Sequence, residues 1–368
     1  EKNELRIKNL AEDIAAINPL SNKKQLVFIL GAGVSLDANI TNWYDLLAKC
    51  IEKQLNIFEN YFESDSYTIK KWVNENLSKS TNEKEIICKR AVKNANLLEI
   101  AEYILNFLKS DIVKGDINLR NGITSKRLAD FIGDCIYLGE DNLKSFKKNS
   151  YKNSSLAAVA KVIKKQFDNS GCAQKVLTYN YDNLLESCLI SEEKVKESTI
   201  NSISYYSENL DFKKGNINIA HIHGKIDVEH RDYSPRGIIL SESSYYNMES
   251  NDYLWQHTVQ AQAMLHDICL FVGFSADDHN FRRIVRHSNN VKNAFIIFTI
   301  DDIIKDVFGN KENTEIEKAI NENTVTYEQL LITYFVTAKT KYWENYGIKP
   351  IWTNISNIPK VIKRIGGI

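Results

Sequence analysis

Leu26-Val-Phe-Ile-Leu30 is an unbroken apolar run that stops at Gly31-Ala-Gly33, the pattern of a strand buried on both faces of a parallel sheet. Similar runs recur at Lys175–Tyr179, Ile217–Ile222, Ile238–Leu240, Ile268–Phe274, Ala294–Ile300 and Ile348–Thr353. Helical or loop stretches separate most of them. This alternation predicts an α/β fold with a doubly wound parallel sheet.

Between the first strand-helix unit and the run at Lys175, residues 59–171 read as helix. Leu97, Ala101, Ile104, Leu105 and Leu108 repeat at helical spacing, as do Leu156, Val159, Ala160, Ile163 and Phe167. That is too much chain for one crossover, so an inserted helical subdomain is expected over 59–171, with the Lys-, Asn- and Ser-rich segment 144–155 as a loop inside it. Residues 1–58 and 172–368 are then the sheet domain. Another amphipathic helix or pair is expected within 315–346. No repeat at solenoid period is found.

With 368 residues, 43% of them hydrophobic, the chain is neither disordered nor fibrous. Forty-seven basic residues balance 47 acidic ones. There is thus no global field for a phosphate backbone, and direct nucleic-acid binding is not expected, although a local basic patch stays open. No apolar run approaches the roughly 20 residues that span a bilayer, so no membrane association is expected. Six cysteines lie scattered without a C-x-x-C pair, which argues against a zinc ribbon or a disulfide framework. Together with the lack of a signal-like opening segment, this predicts a reducing cytoplasm.

The chemistry-bearing residues cluster just after the apolar runs, where ligands of open α/β sheets sit. Gly31, Ala32, Gly33 and Ser35 follow the first run. Glycines there let backbone approach a pyrophosphate, and amides near a helix start favour anions. Thr41 is expected to cap a helix from Asn42 to about Leu55. Leu36 replaces the third glycine of a G-x-G-x-x-G fingerprint, and no acidic residue follows at the expected distance, so an ordinary dinucleotide dehydrogenase is disfavoured; a merely tight turn is the alternative.

Asn180 and Asp182 follow the next run, either as ligand contacts or as helix caps. His221-Ile-His223-Gly224 ends another, with the two histidines expected on one strand face. His223 is read as a general base. The rivals are a metal site completed by Asp227 or His230, for which no compact cluster is seen, and a structural histidine bonding a backbone carbonyl, which fits His221 better. Gly273 and Ser275 are placed to contact phosphate or ribose. Asp277 or Asp278 is expected to cap the next helix, with Arg282 or Arg283 on its face.

Taken in order, G-A-G-x-S, T-x-N-Y-D-x-L-L-E, H-x-H-G and G-F-S-x-x-D resemble the sirtuin-like family, and more narrowly the zinc-free silent-information-regulator-type domains of bacterial antiphage defence. Asn39 to Leu47 also resembles the family's G-[IV]-P-x-W-x-x-L-L segment, departing from it at Asn39 and Thr41. The resemblance implies a Rossmann-like NAD-binding domain in which Gly31, Ala32, Gly33 and Ser35 cradle the pyrophosphate. Asn180 and Asp182 would lie by the nicotinamide and its ribose, His223 would be the catalytic histidine, and Gly273 and Ser275 would form the second nucleotide loop.

Protein-deacylating sirtuins carry a four-cysteine zinc module and a G-I-P-D-F-R segment, both missing here. The resemblance therefore implies an NAD hydrolase without a metal, releasing nicotinamide and ADP-ribose in abortive infection. It also implies a homo-oligomer with a regulatory partner such as a motor ATPase or sensor protein. The alternatives are a non-catalytic module that senses NAD or an ADP-ribose derivative, and a protein deacylase or ADP-ribosyltransferase.

Overall fold

The structure is a computed structural model that describes residues 2–17, 24–36, 40, 42–65, 84–93, 95–109, 125–137, 154–170, 174–204, 211–226, 238–249, 255–276, 278–287, 291–308 and 327–368. Its strands are β1 (Leu26–Leu30), β2 (Gln174–Thr178), β3 (Ile200–Ile203), β4 (Ile217–His221), β5 (Ile268–Val272), β6 (Ala294–Thr299) and β7 (Ile348–Thr353). They form one sheet in the order β3-β4-β2-β1-β5-β6-β7. Every pairing is parallel.

The helices are α1 (Lys2–Ala15), α2 (Trp43–Asp65), α3 (Lys84–Lys93), α4 (Leu97–Lys109), α5 (Ser125–Tyr137), α6 (Ser155–Ser170), α7 (Leu184–Ser191), α8 (Glu242–Glu249), α9 (Trp255–His266), α10 (His279–His287), α11 (Ile300–Phe308), α12 (Tyr327–Glu344) and α13 (Ile358–Ile365).

All five residues of β1 and of β5, and all six of β6, are buried, because helices cover both faces of the sheet. Side chains alternate between those faces. Leu26, Phe28 and Leu30 join a core with Leu10 of α1, Leu47 of α2, Ile104 of α4, Ile132 of α5, Val159 of α6 and Ile362 of α13. Val27 and Ile29 face the other way, into a core with Tyr245 of α8, Met264 of α9, Phe281 of α10 and Trp343 of α12. This is the Rossmann-like α/β architecture expected from the apolar runs. The helices that follow β1 in the chain share the first core with the sheet, so they are packed on it rather than held apart.

Several local expectations change. Ile238–Leu240 is not a strand; it runs as irregular chain whose Ile239 N–H donates to the His223 carbonyl at 2.9 Å. Its apolar character comes from burial of Ile239 and Leu240, not from sheet pairing. Conversely β3, Ile200-Asn-Ser-Ile203, is a strand the apolar pattern misses, since an edge position leaves its first three residues half-exposed. The helix expected from Asn42 to Leu55 runs on to Asp65, and Asn42 caps it, its Oδ1 accepting the Asp45 N–H at 2.9 Å. Thr41, expected in that role, lies outside the described residues. So does most of the loop expected at 144–155, whose last residues, Ser154 and Ser155, instead start α6, with Ser154 Oγ accepting the Ala157 N–H. Cys50, Cys88, Cys135, Cys188 and Cys269 are buried free thiols.

Candidate functional site

Strand order reverses at β1: the chain builds outward through β2, β4 and β3 on one side and β5, β6 and β7 on the other. The crevice at the carboxyl ends of β1 and β5 is the topological switch point where open α/β sheets bind ligands. Four segments from the sequence reading meet that edge: Gly31–Ser35 after β1, Tyr179–Asp182 after β2, Ile222–Gly224 after β4 and Gly273–Asp278 after β5.

The first and last of these are locked together. Gly31 N–H donates to the Val272 carbonyl (3.1 Å) and Gly33 N–H to the Gly273 carbonyl (2.9 Å), while Val34 and Ser35 amides close a tight 3-10 turn onto Gly31 and Ala32. These amides are thus used inside the protein. What the glycines supply is proximity: a Cβ on Gly33 would stand 2.8 Å from Gly273 Cα. Gly273 itself adopts φ +62°, and Ser275 is exposed beyond it.

Ser35, Asn180 and Asp182 form a buried polar knot. Asn180 Nδ2 donates to Ser35 Oγ at 3.2 Å, and the Asp182 carboxylate bonds the same hydroxyl. Asp182 Oδ1 also accepts the Leu184 N–H at 3.1 Å, so the capping reading of Asp182 is correct as well. Burial pushes the Asp182 carboxyl up to about 6, against the pull of those hydrogen bonds.

His221 and His223 have separate fates, contrary to the one-face expectation, because β4 ends at His221 and His223 sits in the turn that follows. Fully buried, His221 donates from Nδ1 to the Asn180 carbonyl (3.1 Å) and meets Glu186 Oε1 through Nε2 at 2.9 Å. It is the structural histidine, and it props the chain that carries Asn180. Burial raises the Glu186 carboxyl, but His221, Lys225 and Ser202 outweigh it and hold it at about 2.

His223 is 5% exposed and its Nε2 has no hydrogen-bond partner among the described residues. The nearest charge is Asp278, whose Oδ2 lies 3.6 Å from Nε2. The ring is packed edge-on between Tyr179, at 4.8 Å, and Tyr245, at 5.3 Å. Burial lowers its pKa while Asp278 pulls the other way, leaving the imidazole neutral near pH 7.

Asp278 caps α10 as expected, Oδ1 accepting the Phe281 N–H at 2.8 Å, and its Oδ2 accepts the Tyr245 hydroxyl at 2.7 Å. Asp277, the other candidate cap, and the proposed metal partners Asp227 and His230 lie outside the described residues. Among the described residues, no group of three or more His, Cys, Asp or Glu side chains is placed to hold a metal ion. Arg282 turns back to the Ala276 carbonyl and Arg283 bonds His257. Tyr245 and the Asp278–His223 contact escaped the sequence reading, since Ser-Glu-Ser-Ser-Tyr-Tyr carries no periodic or motif signal.

This fold and strand-edge site define a nucleotide-type α/β domain. Within it, residues 174–351 match the SIR2-like domain family. The matched span holds Asn180, Asp182, His223, Gly273 and Ser275. Members of that family are NAD-dependent enzymes, which points to NAD-related activity here. Among the described residues no helix is long and apolar enough to cross a membrane.

Proposed function

We propose that this protein is an NAD hydrolase that cleaves the bond between nicotinamide and ribose C1′, converting NAD and water to nicotinamide, ADP-ribose and a proton. The observation that carries the reading is His223, a buried imidazole poised neutral beside Asp278, on the strand edge that also holds Asn180 and Asp182.

Nicotinamide leaves as a neutral base, so catalysis is mainly a matter of positioning and electrostatics. His223 accepts the proton released as water or a ribose hydroxyl reacts. Asn180 orients the ribose or the water. Asp182, largely ionised at pH 7, stabilises positive charge developing on the ribose. Gly31, Ala32, Gly33 and Ser35 line the pyrophosphate side, with Gly273 and Ser275 on the second nucleotide loop. In this reading 1–58 and 172–368 form the catalytic domain in the cytoplasm, and 59–171 an inserted helical subdomain.

Unregulated loss of NAD is lethal, so activity is gated by homo-oligomerisation or by a regulatory partner, such as a motor ATPase or sensor protein, in antiphage defence by abortive infection. Chromatography of nicotinamide and ADP-ribose after incubation with NAD, over a concentration series that spans oligomerisation, tests the reading. Products from the parent and none from His223→Ala are expected; saturable NAD binding with no product under any condition, candidate partners included, would overturn it.

A further inference from the structure

The carboxylate of Asp278 is unusually well fixed for a group that faces a histidine. One oxygen is held by the Phe281 amide at the start of α10 and the other by the Tyr245 hydroxyl. The second oxygen retains a lone pair, and His223 Nε2 is 3.6 Å from it. Tyr179 and Tyr245, packed against the ring from the β2 loop and from α8, leave the imidazole little freedom to turn. Both phenols stay neutral, burial and the nearby Asp278 charge raising them well above the usual tyrosine range. Asp278 is therefore the charge that His223 senses.

We propose that Asp278, clamped by Tyr245, is the positioning residue for His223: it keeps the Nε2–H turned toward itself, leaving Nδ1 as the proton acceptor, and steadies the imidazolium that forms. This rests on the reading of His223 as the base. The step moves one proton from the attacking water or ribose hydroxyl to Nδ1, and Asp278 stays ionised throughout. The 3.6 Å separation closes to a hydrogen bond as the imidazole gains charge, since such contacts tighten in the reacting complex.

Asp278→Asn preserves the helix cap, because asparagine caps as well as aspartate, and removes only the charge. Tyr245→Phe removes only the clamp. The full chain is studied in two ways: the His223 imidazole resonance is titrated by NMR, and kcat and KM for NAD are followed against pH. In Asp278→Asn the imidazole titrates at lower pH and the acid limb of kcat/KM moves down with it, while kcat falls about tenfold to 100-fold at nearly constant KM. Tyr245→Phe gives smaller changes in the same direction.

An imidazole titration unchanged in Asp278→Asn overturns the proposal whatever the activity. A parent protein inactive toward NAD under every condition overturns the hydrolase reading instead, while a shifted titration in Asp278→Asn still establishes the pair.

Discussion

Gly33 and Gly273 stand back to back across the switch point, the Gly33 N–H donating to the Gly273 carbonyl at 2.9 Å. A Cβ on Gly273 would lie 2.2 Å from the Val34 nitrogen, and one on Gly33 2.8 Å from the Gly273 Cα. Those atoms are backbone in two loops anchored by β1 and β5, so neither can step aside cheaply. The close approach brings the two halves of the sheet together where a dinucleotide would bind.

Gly33→Ala and Gly273→Ala are therefore expected to destabilise the protein by about 2–4 kcal/mol. Gly215 is the control: its φ is +74°, yet a Cβ there meets nothing within 4 Å. Gly215→Ala should cost only about 1 kcal/mol, from backbone conformation alone. Urea unfolding of the three variants checks the ranking; equal losses would show that φ, not contact, sets the cost.

Asp182 carries a stability penalty at neutral pH. Its carboxyl is raised from the ordinary 3.8 to about 6, so the folded state binds the proton more tightly than the unfolded chain. The associated stability is fully present below pH 3.8 and is lost as pH rises through about 6, a difference of about 3 kcal/mol. Asp182→Asn, which keeps the bond to the Leu184 N–H, should raise the melting temperature at pH 7 and change it little at pH 3.5, while lowering NAD turnover. Thermal melts at the two pH values, beside the product assay, decide it.

Glu186 behaves oppositely. Its carboxyl is held at about 2, below the ordinary 4.5, so its contribution is present above pH 4.5 and lost as pH falls through about 2. Glu186→Gln should cost about 3 kcal/mol at pH 7, because it leaves His221 buried without its carboxylate. Loosening of the Asn180 carbonyl that His221 holds should lower turnover as well. Chemical denaturation at pH 7 measures the first effect; a variant as stable as the parent would rule out the buried pair as a support.

Asn180→Ala should abolish NAD loss and leave the fold intact, because Asn180 Nδ2 meets only the Ser35 hydroxyl, which retains its bond to Asp182. Circular dichroism and the nicotinamide assay test both halves of that statement. Retained turnover in both Asn180→Ala and His223→Ala would remove the site assignment.

Much of the sheet was legible because strands buried on both faces are continuous apolar runs. Leu26–Leu30 and Ile268–Val272 are such runs and are strands. Ile238–Leu240 has the same composition and fails, since burial under a loop leaves the same apolar signature as burial in a sheet. Ile200–Ile203 hides for the converse reason, its edge position tolerating Asn and Ser. The capping role of Asp278 was readable from local chain chemistry, whereas Asn42 took the cap expected of Thr41, because either residue type can supply the oxygen.

The sequence by itself determined the fold class and the order of polar segments after the strands, because both depend on residues near one another in the chain. Only the tertiary structure decided which histidine does what. His221 and His223 differ by two positions, yet one is spent on Glu186 and Asn180 and the other faces Asp278 and Tyr245. Asp278 lies more than fifty residues downstream, and contacts over such separations arise from sheet order and helix packing, which leave no periodicity for a sequence to display.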